Sequence, residues 1–193
     1  MRVFIAIDVD DEIKKALGDL QERLQSIADS SATGIKKGDV KWVRPENVHL
    51  TLKFLGEIKD EKAVEVCNIV ESVASRHKSF ELDIESVGYF GGRSAKVLWV
   101  GTGQGGDNLC RLAEELEREL ASAGWPRENR KFSSHLTLCR IRNSAAGAKL
   151  ARMSEDYKDF KLGAVSADSV LVYQSQLRPT GPIYTRLGSY KLQ

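Results

Sequence analysis

Histidine is scarce in this 193-residue chain, which contains three. Cysteine is equally scarce: Cys67, Cys110 and Cys139 form no Cys-x-x-Cys pair. An odd, unpatterned set excludes a disulfide framework and points to a reducing cytoplasm. No apolar run approaches the ~18 residues that a membrane span requires. Residues 1–8 turn acidic too soon for a secretory signal and read as a first core strand. Charge of one sign is missing too, since 29 basic and 27 acidic residues leave a net charge of +2. That is no coat for duplex nucleic acid; a small anionic target or a local positive pocket fits better. With no low-complexity tract and no long linker, residues 1–193 are expected to form a single domain, as a monomer.

Against that background, two of the three histidines open the same tetrapeptide. His49-Leu50-Thr51-Leu52 recurs as His135-Leu136-Thr137-Leu138, 86 residues later. On a strand the side-chain period is two, so His and Thr share one face and the leucines the other. Each copy therefore offers an imidazole beside a hydroxyl, anchored from behind by apolar side chains. A lone copy is an ordinary strand; exact recurrence in a histidine-poor chain marks a paired site.

The surrounding pattern supports a duplicated α+β order. Helical spacing runs over 10–27, 59–76, 108–123 and 146–157. Strands are expected at 40–43, 48–55, 132–141, 165–174 and 183–192, and a polar loop at 30–38. Residues 80–89 and 96–100 form a hairpin across Gly91-Gly92-Arg93-Ser94. Strand, helix and motif strand follow in that order in both halves. His77, between Arg76 and Lys78 at a helix end, is expected in solvent.

Two imidazoles facing one substrate can divide proton transfer, one as general base and one as general acid, each contributing ~10²–10⁴-fold. The threonine hydroxyls can donate to non-bridging oxygens of a phosphate held between them. Such an in-line arrangement requires no metal. The rival is zinc: Cys139 shares strand parity with His135, so His49, His135 and Cys139 can be drawn as a ligand set. No acidic residue accompanies either motif, threonine is a poor zinc ligand, and Cys139 reads better as a small buried core residue.

The paired motifs resemble those of the two-histidine phosphoesterase superfamily. More closely, the chain is similar to the bacterial and archaeal RNA 2′,3′-cyclic phosphodiesterases, historically called 2′-5′ RNA ligases. The likeness covers residues 2–7, 42–56, 97–101 and 135–140, with 173–177 and Tyr184 near the C-terminus. It implies an α+β, bilobal fold: two pseudo-symmetric antiparallel sheets with outer helices around a central cleft. It also implies hydrolysis of an RNA 2′,3′-cyclic phosphate end to a 2′-phosphate without a cofactor. Carried over by position, His49 resembles the proton donor and His135 the acceptor, with Thr51 and Thr137 on the phosphate oxygens. Arg140 matches the arginine that follows the second motif in this family. By strict alternation it points away from His135 unless the strand bulges after Leu138. Lys53 shares parity with His49 and Thr51, so an uninterrupted strand aims it at the cleft. Arg44, Phe90, Arg93 and Phe132 are rim candidates for nucleotide contact, Phe132 being the better fit to the core. The substrates in view are RNA ends, among them tRNA fragments, or small cyclic nucleotides. The competing readings are 2′-5′ ligation by the same site and a non-catalytic RNA-end binding module.

Overall fold

The computed structural model describes residues 1–28, 34–36, 38–179 and 181–193. The expected loop at 30–38 thus lies partly outside the described residues. In chain order the elements are β1 (Arg2–Asp8), α1 (Asp11–Ala28), β2 (Val40–Trp42), a 3-10 turn (Pro45–Asn47), β3 (His49–Glu57), α2 (Asp60–Ala74) and β4 (Phe80–Gly91). They continue with β5 (Ala95–Thr102), α3 (Gly106–Ser122), β6 (Leu136–Ile141), α4 (Ser144–Glu155), β7 (Lys161–Ala167), β8 (Ser169–Arg178) and β9 (Gly181–Lys191).

Helices α1 and α4 begin where side-chain acceptors meet their free N–H groups. Asp10 Oδ1 accepts from Ile13 N at 2.8 Å, and Asn143 Oδ1 accepts from Ala145 N and Ala146 N. Along α1 the residues Ile13, Leu17, Leu20 and Leu24 are buried; along α3, Leu109, Ala113, Leu116 and Leu120 are. These stripes hold the helices to the sheets, because each fully buried aliphatic side chain contributes about 1.5–3 kcal/mol.

Two antiparallel sheets result, ordered β3-β1-β8-β9 and β2-β6-β5-β4-β7. The chain is α+β and bilobal, with one motif strand in each sheet. Helices α2 and α3 pack against β3, β8 and β9, while α1 and α4 pack against β4, β5 and β7. Helix α4 docks closely: a Cβ at Gly147 would collide with the Ala95 carbonyl and Ser94 Oγ. The buried side chains of both sheets join in one apolar core.

Three expectations need correction. The strand expected over 165–174 is two strands, β7 and β8, in different sheets. Burial alternates through Val165 and Ala167, then loses phase beyond Asp168, where the chain crosses between lobes. The second motif strand starts at Leu136, so residues 132–135 enter as coil rather than as strand. His77 is not in solvent. Its Nε2 lies 2.7 Å from Glu115 Oε2, and Arg76 Nε donates to Glu115 Oε1 at 2.8 Å, tying α2 to α3. Burial would raise the Glu115 carboxyl, but these two partners outweigh it and hold the carboxyl below its usual range.

Candidate active site

The two motif strands share a local irregularity. In β3, Thr51 faces Ala6 and Lys53 faces Ile5, so Leu52 is an extra residue against β1. In β6, Thr137 faces Trp99 and Cys139 faces Leu98, so Leu138 is extra against β5. Each His-Leu-Thr-Leu run therefore ends in a β-bulge at its second leucine. A bulge reverses the parity of everything after it. Up to the bulge, His and Thr face the cleft while both leucines are buried. Beyond it, Arg140 turns to the cleft side and Cys139, fully buried, turns into the core.

The bulge also undoes the simple reading of Lys53. Its side chain is 4% exposed, on the side of the fully buried Ile5. Its ammonium donates to Glu117 Oε2 at 2.6 Å and to the Pro126 carbonyl at 2.8 Å. Lys53 borders the cavity, but its charge is already matched by α3. Phe54 occupies the place in β3 that Arg140 occupies in β6, and it is 55% exposed. The rival zinc set fails on the same geometry, because Cys139 points away from the histidines. Burial pushes the Cys139 thiol up to about 12, far from the thiolate a metal needs. Among the described residues no group of three His, Cys, Asp or Glu could hold a metal ion.

The histidines are oriented alike. His49 Nδ1 lies 2.9 Å from the Asn47 carbonyl, and His135 Nδ1 lies 2.8 Å from the Ser133 carbonyl. A carbonyl only accepts, so each Nδ1 carries the hydrogen and Nε2 is left to exchange protons. Aromatic rings fix the planes. Phe4 stacks on His49 at 4.6 Å with Tyr184 edge-on at 5.3 Å, and Phe90 meets His135 edge-on at 4.8 Å. Burial depresses His49 to about 4, against the opposing pull of the Asn47 carbonyl and the Asp8 charge. Burial also lowers His135, opposed by the Ser133 carbonyl and assisted by Arg140.

His49, Thr51, Lys53, His135, Thr137 and Arg140 all line one cavity of about 560 Å³. That volume is suited to a nucleotide-sized ligand. Lys41, Arg44, Arg130 and Lys131 add positive charge to its wall, against Glu128 as the acidic lining residue. Phe132 lines it while packing against the core. Arg93, by contrast, is exposed at the β4–β5 turn and is not part of this wall. Sequence reasoning missed Phe4, Phe54, Arg130 and Lys131. Phe4 and Phe54 looked like interchangeable strand apolars, and the two cations lie in coil, where no period signals direction.

Two lobes presenting matched imidazole and hydroxyl groups to a basic cleft describe a phosphoesterase. The chain belongs to the LigT like Phosphoesterase family, whose sequence model matches it twice, over residues 7–99 and 100–184. The double match agrees with the paired bulged motifs. The chain is 37% identical over 186 residues to an RNA 2′,3′-cyclic phosphodiesterase of Thermotoga maritima, covering 95% of this chain and 91% of that one. It is 30% identical over 193 residues to the protein of that name from Methanothermobacter thermautotrophicus, covering 100% and 99%. Among solved structures, E. coli LigT complexed with 3′-AMP superposes with a TM-score of 0.74 at 26% identity, covering 99% of this chain and 97% of that one.

Proposed function

We propose that the protein hydrolyses RNA 2′,3′-cyclic phosphate ends to 2′-phosphomonoesters without a metal, using His49 and His135 as general acid and base. The carrying observation is that two imidazoles, each with Nδ1 tied to a carbonyl two residues upstream, line one basic cavity. Full-length relatives that bear the RNA 2′,3′-cyclic phosphodiesterase name support the substrate class. So does a relative crystallised with 3′-AMP. In this reading His135 Nε2 takes a proton from water, which attacks phosphorus in line with the 3′-oxygen. The P–O3′ bond breaks, and His49 Nε2 delivers a proton to the departing oxygen. Thr51 and Thr137 donate to the non-bridging oxygens, and Arg140 offsets the charge that builds there.

The test uses an oligoribonucleotide ending in a 2′,3′-cyclic phosphate, incubated with protein in excess EDTA. Ring opening to a 2′-phosphate is expected. A 3′-phosphate product would reverse the bond cleaved, and recovery only on adding zinc would sink the metal-free mechanism. Binding without turnover would leave an RNA-end binding module.

The same geometry sets a pH expectation. A ring held near 4 carries no proton in the empty site at pH 7, so the donor gains its proton only when pH falls or an anion arrives. Both histidines are depressed, so the free-enzyme bell in kcat/KM should peak on the acid side of ~6.5, the ordinary histidine value. A bound phosphate anion favours imidazolium and raises both macroscopic values. The kcat bell is therefore expected at higher pH than the kcat/KM bell. Steady-state kinetics from pH 4 to 9 checks this; coincident profiles, or a kcat/KM maximum above pH 7.5, would contradict it.

A further inference from the structure

The two bulges are not held by their own strands alone. Gln21 on α1 is 5% exposed, yet its side-chain amide donates to the Leu138 carbonyl at 2.9 Å and to the Val43 carbonyl at 2.7 Å. Leu138 is the extra residue of the second motif, and Val43 N donates to the same Leu138 carbonyl at 2.9 Å. The carbonyl of the extra residue, on the β2 side of β6, is thus held both by Val43, which continues the β2–β6 ladder, and by α1. A buried amide with both donors used is costly to misplace.

The other motif has a counterpart. Matching Asp11 of α1 to Asp107 of α3 puts Ile13 on Leu109, Leu17 on Ala113, Leu20 on Leu116 and Leu24 on Leu120, all buried. The same offset puts Gln21 on Glu117. Glu117 grips Lys53, the residue after the Leu52 bulge, at 2.6 Å. Its second oxygen accepts from Glu128 N at 2.8 Å, in the coil that leads to His135. The clamps are crossed: the helix before the first motif holds the second, and the helix before the second holds the first.

The geometry points to Gln21 and Glu117 as paired positioning residues, which fix the bulges that decide which side chains after each His-x-Thr face the cleft. For Gln21 this rests on the catalytic reading above, because the bulge at Leu138 turns Arg140 toward the phosphate. Neither residue need touch substrate. Gln21 aims Arg140; Glu117 turns Lys53 out of solvent and carries the Pro126–Glu128 coil.

The decisive variant is Gln21→Met, which keeps length and volume and removes both hydrogen bonds. Two readouts are taken where thermal melts show the variant folded. The first is NMR titration of the ring protons, feasible because the chain has three histidines. The Arg140 charge holds His135 down, so its release should move His135 upward and leave His49 in place. The second is turnover of the cyclic-phosphate oligoribonucleotide. There kcat/KM should fall by about 10-fold or more, since small misplacements of positioned groups carry such costs. Adding Gln21→Met to Arg140→Ala should cost little further, because both act through one side chain. A lower melting temperature with His135 titration and kcat/KM unchanged would make Gln21 merely structural and overturn the proposal. If Gln21→Met does not fold, Gln21→Asn, which withdraws the amide by one methylene, is read the same way. If the wild type fails to open the ring, the catalytic reading falls, while the His135 titration still decides whether Gln21 positions Arg140.

Discussion

His135→Ala is expected to lower kcat by about 10²–10⁴-fold, and His49→Ala by a similar factor, because each deletes one proton transfer. The double variant should be little slower than the worse single one, since groups acting as a unit lose their effect together. The two substitutions differ in their structural side effects. His135 meets Phe90 by an edge and is backed by Leu136, which is fully buried in the core and stays in place. Its removal should leave the melting temperature nearly unchanged. His49 stacks on Phe4, a side chain 2% exposed, so alanine there opens a gap among aromatic rings. His49→Ala should therefore lose some stability as well as activity. Single-turnover rates with saturating protein, paired with thermal melts, separate the effects. Either variant retaining more than a tenth of the wild-type rate would remove that histidine from proton transfer.

Much of this site was legible because it is local. A tetrapeptide on a strand sets the faces of His, Leu and Thr with a period of two, and the leucines are buried behind both motifs. The repetition then implied two lobes, and the fold has two sheets with one motif each. Strict alternation fails one residue later, in both motifs. Whether Leu52 and Leu138 are extra residues depends on their register against β1 and β5, and no local pattern carries that register. Strict alternation sends Lys53 to the cleft and Arg140 away from it, while the resemblance keeps Arg140 on the phosphate provided the strand bulges after Leu138. The bulge at Leu138 meets that condition, and the bulge at Leu52 turns Lys53 to the core side. The change of sheet at Asp168 is hidden for a related reason: strand-forming residues lie on both sides of it, Val165 before and Val170, Leu171 and Val172 after, so two strands read as one. Gln21 and Glu117 were invisible because a polar residue on a buried helical stripe declares itself only through its partner across the fold.

The reversal at Lys53 has the largest expected consequence for stability. Its ammonium is buried, with Glu117 and the Pro126 carbonyl as its partners. Glu117 is a quarter exposed, so solvent screens part of the pair, yet removing the carboxylate leaves a buried cation with one neutral acceptor. Glu117→Ala is expected to cost about 3 kcal/mol, at the low end for breaking a buried pair. For a chain of this size that lowers the melting temperature by about 6–12 °C. Lys53→Met should cost less, because it removes the charge that needs compensation and keeps the buried stem. Lys53→Met should also rescue much of the loss in Glu117→Ala, giving a double variant more stable than Glu117→Ala alone. Thermal melts of the three variants decide between two roles for this lysine. If Lys53 were chiefly a phosphate ligand, Lys53→Met would leave the melt untouched and raise KM. A lysine serving the clamp does the reverse: the melt moves, the pair couples, and affinity for the RNA end changes only as far as the coil carrying Glu128 shifts with it.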